Sequence, residues 1–512
     1  MKRFIPSQPK IKLGEKVVQY SVEGKKKKTV WLSLVALVMA LLLTVGWRAP
    51  AFSQAAKHYT ELEFPPLPEI QLPDYERYQL ENGMVVYLMQ DRELPLVSAT
   101  ALFRTGERLE APEKVGLADL MAEVWRSGGT LKHSPDELNE LLEQRAAAVE
   151  TKIDVASASV SFNALSEDLE EVFQLFAEVI RSPAFPEDKL ELGKKQRHGA
   201  IARRNDDPNA IAFREFQKLI YGKDSPYART QEHATINRIT RQDLVEFYQR
   251  YFYPNNMILG IVGDIDIPKM RTLIQEKFGD WQPGKIELPP LPTVIQANKS
   301  GVFLVERPQL TQSFILIGHL GGLFNSPDYP ALSVLNDVLN GFGGRLFNEV
   351  RSRQGLAYSV YGVWSPRYDY PGIFIAGGQT RSDATVPFIQ AIFKEIERIR
   401  TEPITPEELS YAKESALNSF IFNFQEPAQT LSRLMRYEYY GYPSDFIFRY
   451  RKGVEATTIE DVQRVAKTYL KPENLVTLVV GNSSEINPPL TTISRNKITL
   501  IDITIPEETT SS

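Results

Sequence analysis

The sequence contains no cysteine and only five histidines, His58, His133, His198, His233 and His319. The first absence excludes disulfides, thiolate nucleophiles and every cysteine-ligated zinc site, and it leaves export open because nothing needs oxidising. The second leaves no local pair of histidine ligands, since even the nearest two, His198 and His233, stand too far apart along the chain to share one helix turn or loop. Positive charge is also in deficit. Fifty-nine Lys and Arg face 64 Asp and Glu, and a net charge of −5 offers a polyanion no field to follow, so nucleic acid is not an expected partner. The chain is not poor in apolar residues: its 512 residues are 43% hydrophobic and 24% charged, enough for several domains and a large core.

The one long uncharged run lies near the N-terminus. Lys25 to Lys28 form a basic block, and the run from Thr29 to Trp47 carries no charge before Arg48. That length falls between a signal-peptide core and a spanning helix. Small residues at Ala49 and Ala51, or at Ser53 and Ala55, supply cleavage sites that would leave Phe52 or Ala56 first in the mature chain. Residues 1–55 thus read as a cleaved signal or a retained anchor. Either way the basic block stays cytoplasmic, and the rest is exported to a periplasmic or luminal space, touching membrane only through this segment.

Residues 56–74 hold the proline-rich EFPPLPEIQLPD, an extended lead-in rather than an element. A first domain follows over 75–282. The Asn82-Gly83 turn signal and the apolar runs Met84–Met89 and Leu96–Phe103 predict a hairpin of the two runs. Leu169, Val172, Phe173, Phe176, Val179 and Ile180 predict a helix buried on one face, with Ser166 as its cap and Pro183 as its stop. A second proline cluster, QPGKIELPPLPT, marks a linker over 283–300, after which a domain over 301–484 and a tail over 485–512 remain. The second domain repeats the first: Thr240, Asp243, Tyr251, Pro254 and Gly263 recur as Thr458, Asp461, Tyr469, Pro472 and Gly481, in the same order and at one constant spacing. Pro186 with Pro406, and Val86 with Val302, pair at nearly that spacing, and small loop insertions explain the drift. The fold class is therefore α+β, in two homologous domains too long to be solenoid units.

Two segments carry candidate chemistry. In GLADLMAEVWRSGGT, Gly116 to Thr130, a helix entered after Pro112 and ended by Gly128-Gly129 places Asp119 and Glu123 at i and i+4. A solvated helix surface explains that pair better than an oxygen-only calcium or magnesium site. In NEVRSRQGLAYSVYG, Asn348 to Gly362, a helix over Leu346–Arg353, a C′ glycine at Gly355 and a strand over Leu356–Val363 set Arg351 and Tyr358 seven positions apart. An arginine and a tyrosine hydroxyl suit a carbonyl oxygen that gains charge as water attacks. The plainer alternative is an arginine paired to a nearby acid beside an edge-strand tyrosine.

Both segments resemble those of the inverzincin peptidases, the pitrilysin, insulysin and mitochondrial processing peptidase family. The first matches the metal helix G-x-x-H-x-x-E-H-x-x-x-x-G-T apart from one extra glycine before Thr130, but its ligands are gone. Asp119 and Glu123 stand at the two histidine positions, Ala122 at the general-base position, and Ala200 where the third ligand, a glutamate further along the chain, would fall. His198 lies nearby and is expected to face solvent. The second segment keeps the signature in which Arg351 and Tyr358 reach to the substrate, and Gly341-Phe342-Gly343-Gly344 matches a glycine loop of many relatives. The resemblance implies two domains, each a mostly antiparallel sheet with helices on one face, forming a clamshell around a chamber that takes peptides as added strands. It also implies a division of labour. This chain would bind no cofactor itself, and a homologous partner with an intact H-x-x-E-H motif would hold zinc and use Arg351 and Tyr358 on peptides or unfolded proteins. The alternative is a non-catalytic scaffold or peptide-binding protein of the same fold.

Overall fold

A computed structural model describes residues 72–341, 343–494 and 497–506. Both sheets lie in one compact unit, which begins at Ile70. The basic block, the uncharged run, both cleavage sites and most of the proline-rich lead-in lie outside the described residues, as does Phe342 of the glycine loop.

Twelve strands among the described residues form two six-stranded sheets. The first contains β1 (Glu76–Gln79), β2 (Val85–Gln90), β3 (Leu96–Phe103), β4 (Ala148–Ile153), β5 (Ala158–Leu165) and β6 (Met257–Gly263), in the order β1-β2-β6-β3-β5-β4. The second contains β7 (Gly301–Glu306), β8 (Gln312–Leu320), β9 (Ala357–Ser365), β10 (Ile373–Arg381), β11 (Val476–Gly481) and β12 (Thr499–Leu500), in the order β12-β7-β11-β8-β10-β9. The inner strands correspond one for one, and the repeat holds at the level of register. Val86 faces Leu259 in the parallel β2–β6 ladder, and Val302 faces Thr477 in the parallel β7–β11 ladder. Each domain is α+β with a mostly antiparallel sheet, as expected.

The expected hairpin of Met84–Met89 with Leu96–Phe103 does not form. β6 lies between β2 and β3, parallel to the first and antiparallel to the second. Burial gives the reason. All of β6 and the first five residues of β2 are buried, and a strand covered on both faces takes a central position that short-range pairing cannot supply. The Asn82-Gly83 turn is real but joins β1 to β2, with Gly83 at a φ of +89° and Asn82 Nδ2 donating to Phe278 O at 2.7 Å.

The principal helices fall into two matching series. The first is α1 (Leu117–Ser127), α2 (Leu169–Arg181), α3 (Glu187–Arg203), α4 (Pro208–Tyr221) and α5 (Arg241–Tyr251). The second is α6 (Tyr329–Leu339), α7 (Thr385–Thr401), α8 (Pro406–Phe420), α9 (Pro427–Tyr440) and α10 (Ile459–Tyr469). The repeat extends to the caps: Thr240 and Asp243 close a reciprocal box at the start of α5, and Thr458 and Asp461 do the same for α10. α2 starts at Leu169 after a 3₁₀ turn over Ser166–Asp168, so Asp168, not Ser166, occupies its cap position.

Helices cover one face of each sheet, and a helix of the opposite domain covers part of the other. Ile211, Phe216 and Ile220 of α4 pack on Phe303, Leu316 and Leu478 of the second sheet. Leu431, Leu434 and Met435 of α9 pack on Val85, Met89 and Ile258 of the first. Close approach there depends on Gly260, because a Cβ at that position would overlap Met435 Sδ. Charged and polar bonds reinforce the exchange. Arg77 Nη2 and Tyr87 OH both donate to Glu438, at 2.7 and 2.9 Å, and Arg108 Nη1 donates to Asp369 at 2.6 Å in a largely buried pair. Beyond residue 484, β12 adds in parallel to β7, and Asn205 Nδ2 donates to Ile503 O at 2.7 Å, so the last described residues bind both halves together.

Candidate functional site: an emptied metal frame and an available arginine and tyrosine

α1 lies against the edge strand β4 and against α3. Its first turn is capped from outside the helix: the Glu110 carboxylate accepts from Gly116 N at 3.2 Å and Ala118 N at 2.6 Å. Burial nevertheless pushes the Glu110 carboxyl up to about 7. Leu120, Met121, Val124 and Trp125 enter the core, which turns Asp119, Ala122 and Glu123 toward α3 and β4. Gly193 lets α3 come close, since a Cβ there would lie 3.1 Å from Leu120 Cδ2.

A guanidinium fills the space between the two carboxylates. Arg197 Nη2 of α3 lies 3.2 Å from Glu123 Oε2, and its Nη1 lies 3.7 Å from Asp119 Oδ2. Asp119 also accepts from Gln231 Nε2. Ala122 is buried and its carbonyl accepts from Thr151 Oγ1 at 2.6 Å, while Ala200, one turn beyond Arg197, is exposed. These residues do not fit zinc. A tetrahedral hydrolytic site needs neutral imidazoles and an open water position, whereas the group presented here is a permanent cation that would repel the metal. Among the described residues no group of three or more His, Asp or Glu side chains is placed to hold a metal ion. Sequence reasoning missed Arg197, although its place one turn before Ala200 on the same helix was a usable signal.

Two neighbours complete this site. Glu107 is held up at about 7, first by burial and then by the carboxylates of Asp119, Glu110 and Asp154, against the opposing charge of Arg229. His198 departs from the expected solvent-facing side chain. Its Nδ1 lies 2.6 Å from His233 Nδ1 and its Nε2 lies 2.9 Å from Asn237 Oδ1, with the two rings stacked, because α3 packs against the short helix His233–Asn237.

The second segment is built as its sequence suggests. Phe347–Arg353 is a helix of π form, Gly355 ends it at a φ of +60°, and β9 begins at Ala357. Gly355 N donates to Arg351 O at 3.1 Å and Leu356 N to Val350 O at 3.0 Å, which folds the strand start back beneath the helix. Arg351 and Tyr358 are thereby brought together. The guanidinium carbon stands 4.7 Å from the centre of the Tyr358 ring and 4.7 Å from that of Phe347. Neighbouring arginines are committed: Arg345 makes two bonds to Glu408, at 2.6 and 2.8 Å, and Arg353 pairs with Glu349 at 2.5 Å. Arg351 is half-buried and has no carboxylate partner among the described residues. Tyr358 is 84% exposed on an edge strand, and its hydroxyl has no internal acceptor among the described residues. In the glycine loop Gly341 adopts a φ of +74°, and a Cβ on Gly343 would lie 2.8 Å from the Tyr411 ring.

The candidate residues thus form two sites, on different domains. One is a metal-helix frame whose ligand positions are occupied by a closed ion-pair set, and the other is an arginine and tyrosine pair with no carboxylate partner among the described residues. A two-domain α+β protein of this topology with such a frame has a peptidase-type fold whose metal-helix positions do not fit zinc. Residues 85–227 match the model of the insulinase family, peptidase family M16, and residues 238–416 match that of the peptidase M16 inactive domain. The chain belongs to this M16 family. Relatives include an uncharacterized zinc protease, YmxG, of Bacillus subtilis, 24% identical over 366 residues that span 70% of this chain and 86% of the relative. A protein of Helicobacter pylori described as a non-peptidase homolog is 23% identical over 400 residues, 77% of this chain and 90% of the relative. A solved M16 inactive domain from Pseudomonas fluorescens shares the fold with a TM-score of 0.72 at 24% identity, covering 80% of this chain and 98% of that one. The periplasmic protease PqqL of Escherichia coli superposes with a TM-score of 0.67 at 16% identity, covering 82% of this chain but 47% of that one.

Proposed function

We propose that this chain is the metal-free subunit of a two-chain zinc peptidase, supplying Arg351 and Tyr358 to a homologous partner that holds zinc in an intact H-x-x-E-H motif. The observation that carries the reading is the contrast between the two segments. Arg197 neutralises the ligand positions of the first, whereas Arg351 has no acid partner among the described residues and Tyr358 stands exposed beside it. Donors not held by an internal carboxylate are free to stabilise an oxyanion that develops in a site closed by a second chain. The substrate is a peptide or unfolded segment laid as an added strand on a sheet edge, in a chamber formed by the two chains. The basic block followed by an uncharged run supports export to a periplasmic or luminal space, with the domains beyond the membrane.

The second reading, a non-catalytic scaffold or peptide-binding protein, is favoured by the same closed ion-pair set and by the description of the Helicobacter pylori relative. Mixing separates the two. The chain alone should leave peptides uncut, and adding a relative with intact H-x-x-E-H should produce chelator-sensitive cleavage that neither chain has alone. A mixture no faster than the relative by itself would leave the scaffold reading.

A further inference from the structure

A polar cavity of about 610 Å³ lies where the two domains meet, between the turn after β4, the loop joining β9 to β10, and α9. It adjoins the emptied metal frame, because Glu107 lines it and senses the Asp119 carboxylate. It also covers part of the first sheet, since Lys152, at the end of β4, lines it together with Ser159 and Leu102, its neighbours across the sheet.

The charges within it do not cancel. Asp154 is paired with Lys152 at 2.7 Å, and Asp369 is paired with Arg108 at 2.6 Å. Glu107, which burial raises to about 7, would even when ionised oppose only one of the two arginines that remain. Arg367 and Arg436 are exposed and have no carboxylate partner among the described residues, and each stands beside a tyrosine hydroxyl, Tyr370 and Tyr368 respectively. The cavity therefore presents uncompensated positive charge in a protein whose net charge is −5. Its wall is aromatic and fixed: Tyr368 stacks on Tyr440 at 4.7 Å and 3°, and Tyr370 on Tyr227 at 4.1 Å and 14°.

We propose that this cavity receives an acidic side chain or terminal carboxylate of a bound peptide, with Arg367 and Arg436 as the recognising groups and Tyr368 and Tyr370 as the apolar wall. The assignment rests on the peptide-binding reading and names its substrate class as acidic peptides that carry an aromatic residue. Two guanidinium groups give charge-assisted bonds to a carboxylate, and stacked tyrosines offer a flat face at little cost in side-chain entropy.

Fluorescence anisotropy of the full chain in detergent tests it with three labelled nonapeptides, repeats of Ala-Glu-Tyr, Ala-Gln-Tyr and Ala-Lys-Tyr. The glutamate peptide should bind about tenfold or more tighter than the glutamine one, the scale of one charge-assisted contact. The double variant Arg367→Gln, Arg436→Gln should lose that preference while keeping its affinity for the glutamine peptide, and Arg367→Lys with Arg436→Lys should keep most of the preference. Equal binding of the glutamate and lysine peptides, or an unchanged preference in the double glutamine variant, would overturn the acidic assignment and leave peptide binding standing. If none of the three binds, the peptide-binding reading fails along with it.

Discussion

The two domains share the arrangement of their inner strands and the order of their helices, but they treat charge in opposite ways at the two candidate segments. In the first, the groups of the metal-helix frame have internal partners: Asp119 and Glu123 share Arg197, Asp119 also takes Gln231, and the Ala122 carbonyl takes Thr151. In the second, the segment before β9 commits Arg345 and Arg353 to glutamates but leaves Arg351 over two rings with no acid among the described residues. A polar group satisfied internally has little left to offer a substrate, while an unsatisfied one near the surface is available. A closed frame in one half and an available donor pair in the other are thus two states of hydrogen-bond satisfaction.

The exchange of α4 and α9 sets the background for that comparison, because it makes the halves one folding unit. Phe216 is fully buried against the second sheet although it belongs to a helix of the first domain. Phe216→Ala should cost about 3–5 kcal/mol, the range for a buried phenylalanine, and should lower a single thermal transition common to both halves. Calorimetry that resolves two transitions, only one of them shifted, would break the claim that the domains fold together.

A smaller effect probes the charge inside the first domain. The Glu107 carboxyl is raised to about 7 in the fold from its ordinary 4.5, so the native state binds its proton more tightly than the unfolded chain does. Stability contributed by that proton is fully present below about 4.5 and is lost as pH rises through about 7. Glu107→Gln removes the ionisation and should stabilise the protein by about 1–2 kcal/mol at pH ~8, after allowance for partial exposure, with no gain at pH ~4. Denaturant midpoints that shift equally at both pH values would contradict the cause given. Arg197→Ala sits lowest on the scale. It leaves Asp119 and Glu123 facing each other at i and i+4, partly screened by solvent, and should cost about 1 kcal/mol, less in high salt. A loss that does not diminish with salt would mean that packing, not charge, is what Arg197 supplies.

Much of this is readable in the sequence where the signal is local. The boxes at Thr240 and Thr458, the α1 frame ended by Gly128-Gly129, and the turn at Gly355 that brings Arg351 to Tyr358 all follow from residues within a few positions of one another. What escapes is long-range. The insertion of β6 between β2 and β3 depends on a strand far along the chain, and an apolar run does not say which strand will cover it. The amphipathic faces of α4 and α9 announce burial without naming the opposite sheet, although Pro208 and Pro427 at their first turns stand close to the repeat spacing. Arg197 is nearly hidden for a related reason: it reaches Glu123 from another helix, with a sequence separation of 74, and only its place one turn before Ala200 points to it. His198 likewise gains its partner, His233, only through helix packing.

Two variants compared in one complex test most directly whether the first domain's frame is silent while a partner uses the second domain's donor pair. With a relative that holds zinc in an intact H-x-x-E-H motif, Arg351→Ala should lower peptide turnover by about 10²-fold, the usual loss for one oxyanion donor, with assembly and zinc content unchanged. Tyr358→Phe should act on the same scale and less than additively, and Glu123→Gln in the emptied frame should leave turnover within about twofold. An Arg351→Ala complex that cleaves at the unmutated rate with unchanged KM, or a Glu123→Gln complex that loses activity, would contradict the assignment.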